Sequence, residues 1–453
     1  SMASKSTARG ISMTQGSLFR NIFLFSLPLI FSQLLQVMFN MADVAVVGKF
    51  SSATALGSVG STSILVTLYT GFLIGLGCGV NVCVAQHLGA CQKQRVRESV
   101  HTALVLCTLA GFFIALVCFF GARVFLEMLN TKEDLLPGAV LYLQIYAWGM
   151  PALGIFNFGN AVLSANGDTE RPLVYLTVAG ILNVILNLVF VIGCHMAADG
   201  VALASVLSQY VSAGLVLWHL IRLKGDCGVE PQAIRVYGGE VRQLLVLGIP
   251  AGLQNVIFAF ANLFIQAGVN SFDSTMVAGN AAAANTDTIV YNVMAAFHTA
   301  CSSFMGQNWG AGDHRRVLRS YYISLGYSFC SGAILGLGLL AVGEAFLSLF
   351  TNSPEVIAAG MLRMRIMCWS YCLSAFMDCT IAASRGIGKS LMPTIVVILG
   401  SCVFRVIWVY TVFAYFQTIP SLYLLYAFSW TITAAAEIWY FFHSYRKLTK
   451  VHS

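Results

Sequence analysis

The sequence predicts an all-α integral membrane protein with twelve transmembrane helices in two six-helix lobes related by a pseudo-twofold axis. Three observations predict it: the composition, the recurrence of long apolar stretches, and an internal repeat at a nearly constant offset.

Of the 453 residues, 58% are hydrophobic and only 9% charged, against about 25% charged in soluble domains. A globular chain cannot hide that much apolar surface from water. Lipid as solvent removes the constraint, and the 41 glycines fit close-packed membrane helices. The net charge of +7 is spread in short clusters between apolar runs, with no basic stripe interleaved with aromatics. This excludes a nucleic-acid partner. The thirteen cysteines contain no CxxC pair and lie mostly in apolar runs, which reads as packing, so neither a metal site nor a cofactor is expected. Ser1 to Ser17 are polar, without a signal-peptide pattern, and Ser1-Met2 reads as an expression scar.

A stretch of about 20 apolar residues crosses about 30 Å of hydrocarbon. Such stretches fall at roughly 20–48, 56–86, 97–122, 139–165, 173–194, 200–223, 242–270, 277–306, 317–343, 356–384, 393–416 and 420–445. Nineteen Lys and Arg residues lie at the N-terminus, at the C-terminus and in every second gap, whereas the alternate gaps hold only Lys49, Arg123 and Lys132. Positive charge stays inside, so both termini are expected in the cytoplasm, in a multi-pass protein of the inner membrane.

The repeat is visible in three places. Pro28, Asn40, Phe50 and Gly57 match Pro250, Asn262, Phe272 and Gly279 at an offset of 222. AQHLGA at 85–90 matches GQNWGA at 306–311, and GDTERP at 167–172 matches GKSLMP at 388–393, both at 221. Six spans per half leave the halves facing the same way, with their axis along the membrane normal and a cavity expected between them, which is transporter architecture. The expected division is an N-terminal lobe over 14–223, a cytoplasmic linker over 224–240 and a C-terminal lobe over 241–445.

A carboxylate within a membrane helix costs about 2.5–3.5 kcal/mol on insertion scales and needs a reason. On the first span Gln33, Gln36, Asn40 and Asp43 draw one polar stripe down one face. The repeat position of Asp43 is Ile265, so only one half holds a titratable group there. That asymmetry marks Asp43 as a candidate for coupling to an ion, with a structural acid near the outer interface as the bland alternative. Asn183 and Asn187, one turn apart on span five, and Ser205 on span six are candidate partners, or inter-helical amide bonding alone. In the second half Asp287, Asp378 and Arg405 are lesser candidates, with Arg405 expected to neutralise Asp378 or Asp287 as a structural pair. His298 and Glu437 read as packing and interfacial residues. Gly75, Gly77 and Gly79 are spaced for close helix contact, and Pro28 for a kink.

The SLPLIFSQ opening at 26–33, the run from Asp43 to Gly48, AQHLGA followed by a basic loop, and the paired Gly-x-x-x-x-Pro loops resemble the multidrug and toxic compound extrusion (MATE) transporters, bacterial type. The likeness runs from about residue 14 to 445. It implies two V-arranged lobes and export of amphiphilic, often cationic, organic compounds against H⁺ or Na⁺ by alternating access. The small organic substrate and membrane lipid are then the partners, with no obligate protein partner. Asn183, Asn187 and Ser205 resemble the family's N-lobe polar cluster, in which the position of Asn187 is often an acid. With one carboxylate fewer, H⁺ is the expected coupling ion and Na⁺ the alternative. A lipid-linked precursor flippase, which needs a basic cavity, is the nearest alternative function. A membrane-embedded enzyme would need a nucleophile-and-base or metal constellation, and no HExxH or GxSxG occurs. Cysteines placed at Lys132 and at Arg316 are expected to label from opposite sides of the membrane. Labelling of both from one side contradicts the topology.

Overall fold

The computed structural model describes residues 10–451. Ser1-Met2, together with Lys5 and Arg9 among the N-terminal basic residues, lies outside the described residues. Among those described, every regular element is helical. Lipid allows little else, because a helix satisfies its backbone N–H and C=O groups within one segment.

Twelve helical segments follow one another among the described residues: α1 Leu18–Phe50, α2 Ala53–Gly89, α3 Lys93–Met128, α4 in two pieces (Leu136–Ala147 and Met150–Ala165), α5 Glu170–Gly193, α6 Ala198–Arg222, α7 Gly238–Val269, α8 Ser274–Gly310, α9 His314–Ala341, α10 Pro354–Gly386, α11 Leu391–Phe416 and α12 Ile419–Val451. Ten of these are individually long and apolar enough to span a bilayer. The pieces of α4 qualify together and bend by 49°. The second opens with Met150-Pro151, and proline has no N–H to continue the first. Helix α8 is long enough at 37 residues, but Asn280, Asn285, Asp287, Asn292 and His298 interrupt its apolar run, and it is not among those ten. Two turns of wider π geometry interrupt α11, and one closes α5 directly after Leu188.

Many large apolar side chains lie uncovered on the outside: Phe112, Phe113, Leu116 and Phe120 along α3, Ile334 and Leu337 on α9, and Trp439 on α12. A soluble protein does not expose apolar surface on this scale. This is the lipid-facing surface of a multi-pass membrane protein.

The helices form two compact units. Among the described residues, one comprises 10–12 and Leu27–Val256, the other Met13–Ser26 with everything from Ile257 onward. The boundaries fall inside α1, one residue before Pro28, and inside α7, a few residues after Pro250. The first unit has apolar cores built around Val82, Val84 and Leu163, and around Leu73, Leu126 and Leu143. The second is packed around Met294, Met364 and Tyr371, and around Cys301, Tyr321 and Phe441. In the second unit the chain before α1 is tied down by Arg316, whose Nη2 donates to the Met13 carbonyl at 2.9 Å and Nη1 to that of Gly16 at 3.0 Å. Phe25 meets Phe304 edge-on, ring centroids 5.4 Å apart.

The segment between α6 and α7 is held against the first unit. The Val229 amide donates to the Leu220 carbonyl at 2.9 Å, and the Tyr237 amide to Thr102 Oγ1 at 3.0 Å. The Glu230 amide donates to His101 Nε2 at 3.0 Å, which makes the other nitrogen, Nδ1, the donor to the Arg97 carbonyl at 2.7 Å. Cys227 is buried here, and burial, reinforced by Asp226, pushes its thiol up to about 12. It anchors the segment as an uncharged apolar group.

Helices α2 and α7 cross inside the first unit through four glycines. A Cβ on Gly75 would stand 2.4 Å from the Gly252 nitrogen, and one on Gly79 the same distance from the Gly248 nitrogen. Each helix presents its pair four residues apart, so the backbones themselves touch. Gly77 points elsewhere, to Asn157 on α4. Gly79→Ala is therefore expected to cost about 1–3 kcal/mol by overpacking and to lower the unfolding temperature in detergent. Gly60→Ala, whose Cβ meets nothing within 4 Å, should leave it unchanged or raise it. Equal behaviour of the two variants contradicts the crossing.

Candidate functional site

The polar stripe on α1 delivers one residue into a built cluster. Asp43 is half-buried, and its Oδ1 accepts a hydrogen bond from Asn183 Nδ2 at 2.8 Å and another from Asn187 Nδ2. The two asparagines stand one turn apart on α5, so both amides reach the same carboxylate oxygen. Asn187 is fully buried and Asn183 nearly so, and the Oδ1 atom of each has no hydrogen-bond partner. No basic side chain forms an ion pair with Asp43 among the described residues. On α4, Tyr142 and Tyr146 stack with centroids 5.7 Å apart, and Gln209 Nε2 donates to the Tyr146 hydroxyl at 3.2 Å. Both phenols lie within electrostatic reach of Asp43.

The other members of the stripe stay outside. Gln36 and Asn40 are not covered by the protein and take no hydrogen bond, and Ser205 is half-buried on α6 without bonding to the cluster. The structure thus brings together Asp43, Asn183 and Asn187 and leaves Asn40, Gln36 and Ser205 apart from them.

Chemically, a carboxylate held by amides alone is adaptable. An amide offers N–H groups to an ionised carboxylate, and its carbonyl oxygen accepts from a protonated one. The unpaired oxygens of Asn183 and Asn187 are equally ligands of the type a hard cation takes. No fixed positive charge competes for the site.

The second unit treats its acid differently. Asp287 Oδ2 is 2.5 Å from Arg363 Nη2, and Oδ1 accepts from the Tyr371 hydroxyl. Thr286 Oγ1 stands 3.0 Å from the same phenol oxygen. Arg363 also donates to the Asn280 carbonyl at 2.9 Å and lies over the Tyr423 ring at 4.8 Å. The expected pairing of Arg405 with Asp287 or Asp378 is corrected: it forms an ion pair with neither. Its guanidinium lies over Tyr426 at 4.6 Å, with Phe258 at 5.6 Å and Trp430 at 5.9 Å, and its Nε donates to Ser429 Oγ at 3.0 Å. Aromatic faces take the place of a carboxylate. Asp378 is half-buried in α10 and makes no hydrogen bond. Glu437 is fully buried with both oxygens unpartnered. His298 Nε2 lies 2.8 Å from Ser328 Oγ.

Three participants escape sequence reasoning. Tyr371 carries no signal, since a phenol in an apolar run reads as packing. Arg363 does carry one, being an arginine inside a membrane stretch, but its partner is 76 residues away. Glu240 sits where a loop was expected and instead opens α7, where it joins His87 and Ser99.

The MatE family model matches residues 28–189 and, a second time, residues 250–411. The chain belongs to the MatE family. Both ends of the second match are displaced by 222 residues from the first, the offset of Pro28 from Pro250. Among curated relatives, the "Probable multidrug resistance protein YpnP" of Bacillus subtilis is 29% identical over 79% of this chain and 80% of its own length. The "FAD transporter" of Shewanella oneidensis is 26% identical over 73% of this chain and 74% of its own. A solved structure described as an outward-facing multidrug resistance MATE family transporter of the MOP superfamily superposes with a TM-score of 0.90 at 19% identity, covering 98% of this chain and 100% of that one. A MOP superfamily transporter from Pyrococcus furiosus, described as having a binding pocket of reverse polarity, gives the same TM-score and identity over 98% of this chain and 99% of that one. At that identity the likeness shows the fold, which is the twelve-helix MATE fold. This MatE protein is a membrane transporter.

Removing one partner of a buried ion pair strands the other charge. Arg363→Met is expected to destabilise the MatE fold by about 3–5 kcal/mol, and Asp287→Leu in the same chain to recover much of that. Arg405→Met, which removes aromatic contacts and one hydrogen bond to Ser429 but strands no opposite charge, should cost about 2 kcal/mol. Unfolding temperatures of the purified variants in detergent rank the two, and the reverse order contradicts the pairing.

Proposed function

We propose that this transporter exports amphiphilic, cationic organic compounds across the inner membrane by alternating access, in exchange for H⁺ bound at Asp43. The observation that carries the reading is the Asp43 cluster. A carboxylate inside a membrane helix, held only by two asparagine amides and facing no arginine or lysine, can take up and release a proton without breaking an ion pair. Neutralising the acid removes its charge outright, so a single carboxylate suffices for H⁺.

The curated relatives named for multidrug resistance support the cargo class. The skew of Lys and Arg between alternate gaps supports cytoplasmic termini. The working division stays at a lobe over 14–223, a linker over 224–240 and a lobe over 241–445. Asp287, Asp378 and Arg405 have no coupling role in this reading, and transport needs no cofactor and no second protein.

One observation favours Na⁺ as a second reading. The unpaired oxygens of Asn183 and Asn187 stand beside the carboxylate and would complete part of an oxygen shell. Against it, the shell holds a single negative charge.

The test is efflux of a fluorescent cation from everted vesicles, with a pH gradient or a Na⁺ gradient imposed alone. The pH gradient is expected to suffice. Asp43→Asn should abolish gradient-driven efflux while leaving expression and unfolding temperature unchanged, because it keeps size and loses only the titratable proton. Normal efflux by that variant rejects the coupling role of Asp43. Export sustained by Na⁺ alone, with an uncoupler present and lost in Asp43→Asn, replaces H⁺ by Na⁺.

A further inference from the structure

The best-built cluster apart from Asp43 lies where α2, α3 and the first turn of α7 meet. Cys83 and His87 are four residues apart on α2 and therefore share a face. Glu240 reaches into that face from α7. Its Oε2 is 3.0 Å from His87 Nε2, 2.7 Å from Ser99 Oγ and 3.9 Å from Cys83 Sγ. Its Oε1 is 3.3 Å from Arg95 Nε, and Ser99 Oγ is 3.7 Å from Cys83 Sγ. All three candidate ligand residues are buried: Cys83 is 0% exposed, Glu240 2% and His87 4%. The sulfur, the imidazole nitrogen and the carboxylate oxygen lie within 4.8 Å of one another.

These are the donors of a zinc site, and two ligands spaced four apart on one helix are a recurring way to present them. In tetrahedral zinc, bond lengths of about 2.0–2.3 Å place the ligand atoms roughly 3.4 Å apart. The separations of 3.0 and 3.9 Å around Glu240 Oε2 bracket that value. Charge agrees as well. A thiolate and a carboxylate together cancel a divalent ion, so the occupied cluster is neutral where it is buried. Ser99 donates a hydrogen bond to the carboxylate from beside the three ligands, which leaves the fourth position to water, and Arg95, with its side chain half exposed, can turn away from the carboxylate. The absence of a CxxC pair hides such a site from the sequence, because the third ligand is 153 residues beyond the second.

We propose that Cys83, His87 and Glu240 form a binding site for a thiophilic divalent metal ion of the zinc class, which fastens the first turn of α7 to α2. The site is separate from Asp43 and stands whether or not that residue couples transport to an ion.

The full chain, purified in detergent and stripped with a chelator, is titrated with Zn²⁺ against a chromophoric competitor. Cd²⁺ is added in parallel to read the ultraviolet thiolate charge-transfer band. One tight equivalent per chain is expected, with a Zn²⁺-dependent rise in unfolding temperature. Cys83→Ser should weaken that binding by about 100-fold or more, abolish the rise and remove the band contributed by this site. Its metal-free unfolding temperature should not change, since serine fills the same space. Glu240→Gln is the second variant and should weaken Zn²⁺ binding in the same way. The absence of a tight equivalent in the unmodified chain, or Cys83→Ser binding as tightly as the unmodified chain, overturns the proposal.

Discussion

Water is missing from the hydrocarbon layer, and the rest of the structure follows from that. Each backbone donor must find its acceptor inside its own segment, which explains a chain of helices. The same scarcity governs the side chains. With no solvent to satisfy them, polar groups draw together: the Asp43 carboxylate to two asparagines, the Asp287 carboxylate to a guanidinium and a phenol. Apolar side chains, freed from hiding, line the outside.

The two acids show how partner type separates a mobile charge from a fixed one. Arginine does not surrender its proton in a protein, so Asp287 and Arg363 form a closed pair with no charge left to exchange. Their further bonds to Asn280, Tyr371 and Tyr423 make that pair a fastening between α8, α10 and α12. Asparagine carries no charge and presents donors and acceptors on one head. The amides around Asp43 therefore tolerate a change of state that the surroundings of Asp287 oppose.

Much of the architecture is legible in the sequence because it depends on period and length. Apolar runs mark the helices, even α8, whose own asparagines dilute its signal but whose neighbours on either side are clear. Pro28 and Pro250, read as repeat partners, open the two stretches that match the MatE family. The nearness of Asp43 to Asn183 and Asn187 is legible for the same reason, since spacings of three and four place residues on one face. What spacing does not contain is the rotation of one helix about its axis relative to the next. Gln36, Asn40 and Ser205 share the type and period of the cluster yet lie off it. Arg363 and Arg405 are equivalent as sequence, two arginines in apolar runs, and only packing decides that one meets Asp287 and the other a group of aromatic rings. Cys83, His87 and Glu240 fail to announce themselves because each is unremarkable in its own segment.

The division of α1 and α7 bears on how the chain is made. Residues 13–26 are made well before the side chains they pack with, Phe304 and Arg316 among them, which are translated about 290 residues later. The first unit is likewise incomplete until Val256 has been synthesised, past the point at which the sequence repeat begins again. Neither half of the gene alone encodes a finished unit. The opening turns of α1 must wait in the membrane, kept soluble in lipid by their own apolar surface, until the second half of the protein arrives. Assembly therefore includes an exchange of helix ends between the two halves of the sequence rather than the docking of two separately finished halves.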